Sequence, residues 1–138
     1  MSQQYRRNIF QRILGIPATS VPVDPECWSY SDGRVIIDLE KAPELAEPGG
    51  AVRIEGDILP DRLMVFRGDD GEFYAFSNRC SHAGRKMDPV PGSGTVMCCS
   101  VSRSTYDYRG AILSGPVKKN ARVYPAEAEG GRLTITLV

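Results

Sequence analysis

The chain has 138 residues, 41% of them hydrophobic, and a formal net charge of zero. That length supports one domain with its own core, and the hydrophobic share excludes a disordered chain. The balanced charge gives no overall reason to expect nucleic-acid binding, and apolar runs such as Leu63-Met64-Val65-Phe66 fall far short of the roughly 20 residues that span a bilayer.

Residues 2–15 have the spacing of an amphipathic helix, with Tyr5, Ile9, Ile13 and Ile16 on one stripe and Arg6, Arg7 and Arg12 as polar surface. Gly15 and Pro17 are stop signals. The helix is expected to pack on its own domain, or to dock on a partner, a membrane surface or another copy. Arg6-Arg7 invites a twin-arginine export reading. The apolar region of roughly 7–15 residues that such a signal needs is interrupted by Gln11-Arg12 and Pro17, and a cytoplasmic location is expected. Residues 17–26 carry three prolines and read as an extended linker. The expected division is an extension over 1–28 and a domain over 29–138.

Short strands and tight turns follow. Cys27-Trp28-Ser29-Tyr30 and Arg34-Val35-Ile36-Ile37-Asp38-Leu39 flank a turn at Ser31-Asp32-Gly33 and predict a hairpin. Cys27 reads as a small buried residue, with no spacing that makes it a ligand. Ala51-Val52-Arg53-Ile54 predicts a strand, and Leu63–Arg67 and Phe73–Phe76 predict a second hairpin across Gly68-Asp69-Asp70-Gly71. Further strands are predicted at 95–98, 104–107, 110–113, 121–124 and 133–137. The fold class is therefore mostly β, a small antiparallel barrel or sandwich with an N-terminal helical extension.

Chemistry concentrates in residues 80–116. The four cysteines are Cys27, Cys80, Cys98 and Cys99, and His82 is the chain's single histidine. Adjacent Cys98-Cys99 fit a disulfide framework poorly, and Cys80-Ser81-His82 favours metal, because thiolate and imidazole two residues apart can meet one centre. Cys99 follows after a spacer rich in Gly and Pro, which allows tight, rigid loops, and Ser102 lies three residues beyond it. Residues 79–122 carry eight basic and two acidic groups, against eight basic and thirteen acidic in residues 1–78. Arg79, Arg85, Lys86 and Arg103 thus either offset thiolate charge or form a docking surface for an acidic partner.

These loops resemble the Rieske [2Fe-2S] family, whose two loops read C-x-H and C-x-x-H. Asn78-Arg79-Cys80-Ser81-His82-Ala83-Gly84 is similar to the first loop, and Leu113-Ser114-Gly115-Pro116 to the third, proline-containing loop that covers the cluster. Gly131-Arg132-Leu133-Thr134-Ile135 is similar to the closing strand, and the resemblance spans roughly residues 34–138. It implies a Rieske-like domain with a [2Fe-2S] cluster, Cys80 and Cys99 on the inner iron and His82 on the outer. It further implies Ser104 and Tyr106 as hydrogen-bond donors to the cluster and its cysteine sulfur, and Gly115 and Pro116 as its cover. Ser102 occupies the place of the second histidine, and Cys98 is its rival as fourth ligand; water or a partner's side chain are further alternatives. Arg85 and Val101 stand where some members carry a bridging cysteine pair, as is normal in ferredoxin-like members.

The function so implied is single-electron transfer to or from a partner redox enzyme. No substrate pocket or general acid/base pair is evident, so a carrier or redox subunit is expected rather than a stand-alone enzyme. The alternatives are a cluster-free interaction subunit of the same fold, with Cys80 and Cys99 available to form a disulfide, and a mononuclear Cys/His metal site.

Overall fold

The structure is a computed structural model and describes residues 19–78, 86–90, 92–98, 105–114 and 120–137. The strands of the first half are β1 (Trp28–Ser31), β2 (Arg34–Asp38), β3 (Ala51–Ile54), β4 (Leu63–Arg67) and β5 (Phe73–Ser77). Those of the second half are β6 (Met87–Val90), β7 (Thr95–Cys98), β8 (Thr105–Asp107), β9 (Ile112–Ser114), β10 (Val123–Tyr124), β11 (Ala126–Glu129) and β12 (Arg132–Thr136). Among the described residues they form three four-stranded sheets, ordered β1-β2-β12-β11, β10-β5-β4-β3 and β6-β7-β8-β9. Every described pairing is antiparallel. The predicted helix over 2–15 lies outside the described residues.

Local chemistry accounts for the turns. Asp32 and Gly33 between β1 and β2 have φ of 53° and 77°, the double positive φ of a two-residue hairpin turn whose twist suits the flanking strands. Cys27 lies in a 3-10 turn, Pro25–Cys27, instead of opening β1, and the Asp24 carboxylate caps that turn by accepting the Glu26 N–H at 2.9 Å. The expected linker is docked at its far end. The Arg53 N–H donates to the Ser20 carbonyl at 2.8 Å, and the Thr19 N–H donates to the buried Asp88 carboxylate at 2.8 Å.

The second sheet is the middle layer. Leu63, Val65 and Ala75 on one of its faces pack with Val35, Ile37, Leu133 and Ile135 of the first sheet. Met64, Phe66 and Phe76 on the other pack with Met87, Val96 and Tyr106 of the third. Side chains alternate along a strand, so β4 reads as an unbroken apolar run because both its faces are covered. Burying each such side chain contributes about 1.5–3 kcal/mol.

Candidate metal centre

In the third sheet, Met87 pairs with Cys98, Met97 with Thr105, and Thr105 with Ser114. These rungs sit at one end of four adjacent strands. At an interstrand spacing of about 4.8 Å, that end is roughly 14 Å across. The segments 79–85, 99–104 and 115–119 all start or finish there. The other end of the same sheet is closed by turns joining β6 to β7 and β8 to β9.

The predicted ligands Cys80, His82, Cys99 and Ser102 lie outside the described residues, as do Ser104, Gly115, Pro116, Arg79, Arg85 and Arg103. What the structure supplies is their frame. The register brings Met87, Cys98, Thr105 and Ser114, which flank the two ligand segments and the predicted covering segment, to a common end, although Met87 and Ser114 are far apart in sequence.

Tyr106 is fully buried in β8, opposite Val96 and one residue in from the Thr105 anchor. It belongs to the core group of Met64, Phe66, Phe76 and Met87. Cys98 is the last residue of β7, its backbone in regular register with Met87. Lys86 ends the first ligand segment, and its Nζ lies 2.9 Å from Glu55, which also takes Arg53 at 3.1 Å. A share of the charge read as a docking cation is thereby matched within the fold. Burial alone pushes the Glu55 carboxyl up, but the Lys86 hydrogen bond and the Arg53 and Lys86 charges outweigh it and hold it below the ordinary carboxylate range.

Cys27 is remote from this frame, in the core group between the first and second sheets. Burial first, then the nearby Glu44 and Asp24 carboxylates, push its thiol up to about 11, the reverse of what a thiolate ligand needs. Among the described residues no group of three His, Cys, Asp or Glu side chains is gathered as a metal site.

Asn78, just before the first ligand segment, figures in sequence reasoning only as part of the first-loop resemblance, with no role of its own. It is fully buried, and its Oδ1 accepts the Met87 N–H at 2.7 Å from the other side of that segment. Its role is set by a contact across nine positions, which no local pattern reports.

A Rieske centre takes two thiolates on one iron and two imidazoles on the other. The sequence offers Cys80 and Cys99 as thiolates and His82 as one imidazole at the spacing of that pattern, with Ser102 in the fourth place. Three of the four donor types are thus available in the chain, and it holds no second imidazole.

Comparison with known proteins agrees. Residues 38–125 match the Rieske [2Fe-2S] domain family. The ferredoxin component of the naphthalene 1,2-dioxygenase system of Pseudomonas aeruginosa is 31% identical over 88 residues, covering 60% of this chain and 85% of that protein. The 3-phenylpropionate/cinnamic acid dioxygenase ferredoxin subunit of Escherichia coli K12 is 33% identical over 91 residues, 64% of this chain and 82% of that one. Among solved structures, the ferredoxin of carbazole 1,9a-dioxygenase from Nocardioides aromaticivorans IC177 superposes with a TM-score of 0.57. It is 28% identical, over 68% of this chain and 89% of that one. Among the described residues, no helix is long and apolar enough to cross a membrane.

Proposed function

Because the chain belongs to the Rieske [2Fe-2S] domain family, we propose that it is a ferredoxin-like carrier of single electrons to or from a partner redox enzyme. The observation that carries this reading is that the residues flanking segments 79–85 and 99–104 share adjacent rungs, Met87 with Cys98 and Met97 with Thr105. Relatives that serve as ferredoxin components of dioxygenase systems make an oxygenase component, or the reductase that feeds one, the class of partner. The cytoplasm suits this role, since glutathione and thioredoxin there keep thiols reduced and available as ligands.

In this reading Cys80 and Cys99 hold the inner iron as thiolates, and His82 binds the outer iron through a neutral imidazole. A bound [2Fe-2S] cluster supplies the ability to take up and return one electron. Ser102 is assigned as fourth ligand ahead of Cys98. The regular pairing of Cys98 with Met87 supports this, because a ligand at that position calls for irregular backbone. A serine oxygen is a harder ligand than imidazole and must lose its proton to bind iron well. Its negative charge lowers the potential relative to a two-imidazole centre.

Ser104 and Tyr106 are assigned as hydrogen-bond donors that stabilise the reduced charge, and Gly115 and Pro116 as the cover that limits water. Arg79, Arg85 and Arg103, with the fraction of Lys86 charge that Glu55 leaves unmatched, form the contact for an acidic partner and speed its association. The 2–15 stretch is assigned as a second contact, to the partner or to another copy. Its support is the spacing of Tyr5, Ile9 and Ile13.

The test is iron and acid-labile sulfide on anaerobically purified full-length chain, with a visible spectrum. About two irons and two sulfides per chain, lost in Cys80→Ala and spectrally altered in His82→Ala, are expected. Ser102→Ala should change the spectrum and Cys98→Ala should leave it alone. No iron or sulfide after attempted reconstitution overturns the carrier reading, and the Cys80–Cys99 pair is then examined for a disulfide.

A further inference from the structure

Two tyrosines meet where the β4–β5 turn adjoins the β8–β9 turn. Tyr74 lies in β5 opposite Phe66, and Tyr108 lies in the β8–β9 turn. Their ring centroids are 4.7 Å apart, and each ring also packs on Phe66, at 5.4 Å and 5.1 Å. Both are half-buried. Each hydroxyl has its own carboxylate: Tyr74 donates to Asp70 at 2.5 Å, and Tyr108 donates to Asp69 at 3.2 Å. Gly68 shows how closely the ring edges converge. A Cβ added there would lie 2.7 Å from Tyr108 Cε2 and 2.9 Å from Tyr74 Cε2. The Cε carbons adjoin the carbon that bears the hydroxyl, and a phenoxyl radical couples through them. The Tyr74 phenol is pushed up to about 12, first by its bond to Asp70. Oxidation near neutral pH must therefore shed its proton, and the acceptor is already in place.

We propose that Tyr74 and Tyr108 form an oxidative cross-linking site, joined as dityrosine by one-electron oxidants such as oxygen-derived radicals. Each tyrosine gives one electron to the oxidant, and its phenolic proton passes to Asp70 or Asp69. The two radicals form a carbon–carbon bond between one Cε of each ring. The hydrogens on those carbons move to the two oxygens and restore both phenols. The net change is two electrons and two protons lost for one bond made. That bond ties β5 of the second sheet to the β8–β9 turn of the third. The site uses no predicted metal ligand, so it stands or falls apart from the carrier reading.

The probe is tris(bipyridine)ruthenium(III), generated by a brief flash with persulfate as the terminal acceptor, acting on dilute full-length chain. Monomer is then isolated in denaturant and read by dityrosine fluorescence, intact mass and peptide mapping. Wild-type monomer should fluoresce, weigh less by two hydrogens, and yield a linked pair of peptides carrying Tyr74 and Tyr108. Tyr74→Phe and Tyr108→Phe, checked for folding by circular dichroism, should each lose the monomer fluorescence. Asp70→Asn keeps an acceptor oxygen without the charge, and the link should form several-fold more slowly. Wild-type monomer without the link, under a flash that dimerises free tyrosine, would overturn the proposal. So would dityrosine confined to dimers, or monomer fluorescence kept in Tyr108→Phe. A wild-type rate in Asp70→Asn would overturn the proton-acceptor role. Should a phenylalanine variant misfold, the wild-type peptide map still decides which tyrosines are joined.

Discussion

The Asp69 carboxylate in the β4–β5 turn accepts the Gly94 N–H from the β6–β7 turn at 3.0 Å. It also accepts the Gly92 N–H at 2.9 Å and the Tyr108 hydroxyl at 3.2 Å, while the Tyr108 oxygen accepts the Asp69 N–H at 3.1 Å. One acidic side chain thus ties together three hairpin turns from two sheets. Replacing it with alanine removes charge-assisted acceptors at an exposed place, where water partly compensates. A loss of about 1 kcal/mol is expected. Urea unfolding measures it, and an unchanged midpoint would mean that the turns hold without the carboxylate.

Gly110 closes the β8–β9 turn with φ of 84°, and an added Cβ would lie 2.4 Å from the Ala121 carbonyl oxygen. That same turn accepts the Ala121 N–H at 2.8 Å through the Gly110 carbonyl. Gly110→Ala meets both a backbone penalty of about 1–2 kcal/mol and a clash with main chain that cannot swing aside. The melting temperature should fall by more than in Asp69→Ala. A smaller fall would show that β9 can shift without disturbing the core.

How far these features were legible depends on where each residue's partner lies. The Asp32-Gly33 turn, β3 and the β4–β5 hairpin are local, and residue type and alternation find them. β6 was missed because Pro89 reads as a breaker. It survives in a strand at the sheet edge, paired only with β7, where a missing donor is tolerated. β11, an Ala-Glu-Ala-Glu run of poor strand formers, is held by its pairing with β12 and by nothing in its own composition. Cys80, His82 and Cys99 were singled out by ligand spacing, a short-range signal, and lie outside the described residues. The contact of Asn78 with Met87 was not legible, because its partner lies across the loop.

The Glu55 bridge should make stability acid-sensitive in a defined direction. Its carboxyl stands below the ordinary value of 4.5 despite burial, because Lys86 and Arg53 favour the charged form. A carboxylate lowered on folding contributes stability that is fully present above its unfolded pKa and lost as pH falls through its folded one. Wild-type protein should therefore lead Glu55→Gln in melting temperature at neutral pH, and the lead should close as pH drops below about 4.5. A gap that persists in strong acid would assign the stabilisation to packing rather than charge. The ion pair is partly exposed, so added salt should also narrow the difference.

Cys27 should be inert while the chain is folded. Its thiol is buried and pushed up to about 11, first by burial and then by Glu44 and Asp24. Thiolate is the nucleophile, so alkylation at pH 8 should miss Cys27 in native protein and reach it in denaturant. Because the folded thiol holds its proton more tightly than the unfolded one, its contribution to stability is complete below about pH 9 and declines above that. Mass spectrometry of the labelled peptide decides the first point, and modification in the native state would place Cys27 nearer solvent.

Three segments leave one end of the third sheet, while the described core groups on both faces of the second sheet are assembled from strands alone. Tolerance to change is therefore unevenly distributed. A substitution in β4 reaches two cores at once, whereas under the proposed carrier reading an exchange such as serine for imidazole at position 102 retunes a bound cluster and leaves the described strands of both cores unchanged. On that reading the scaffold and the ligand inventory can drift independently, and a departure at one ligand marks retuning before it marks decay.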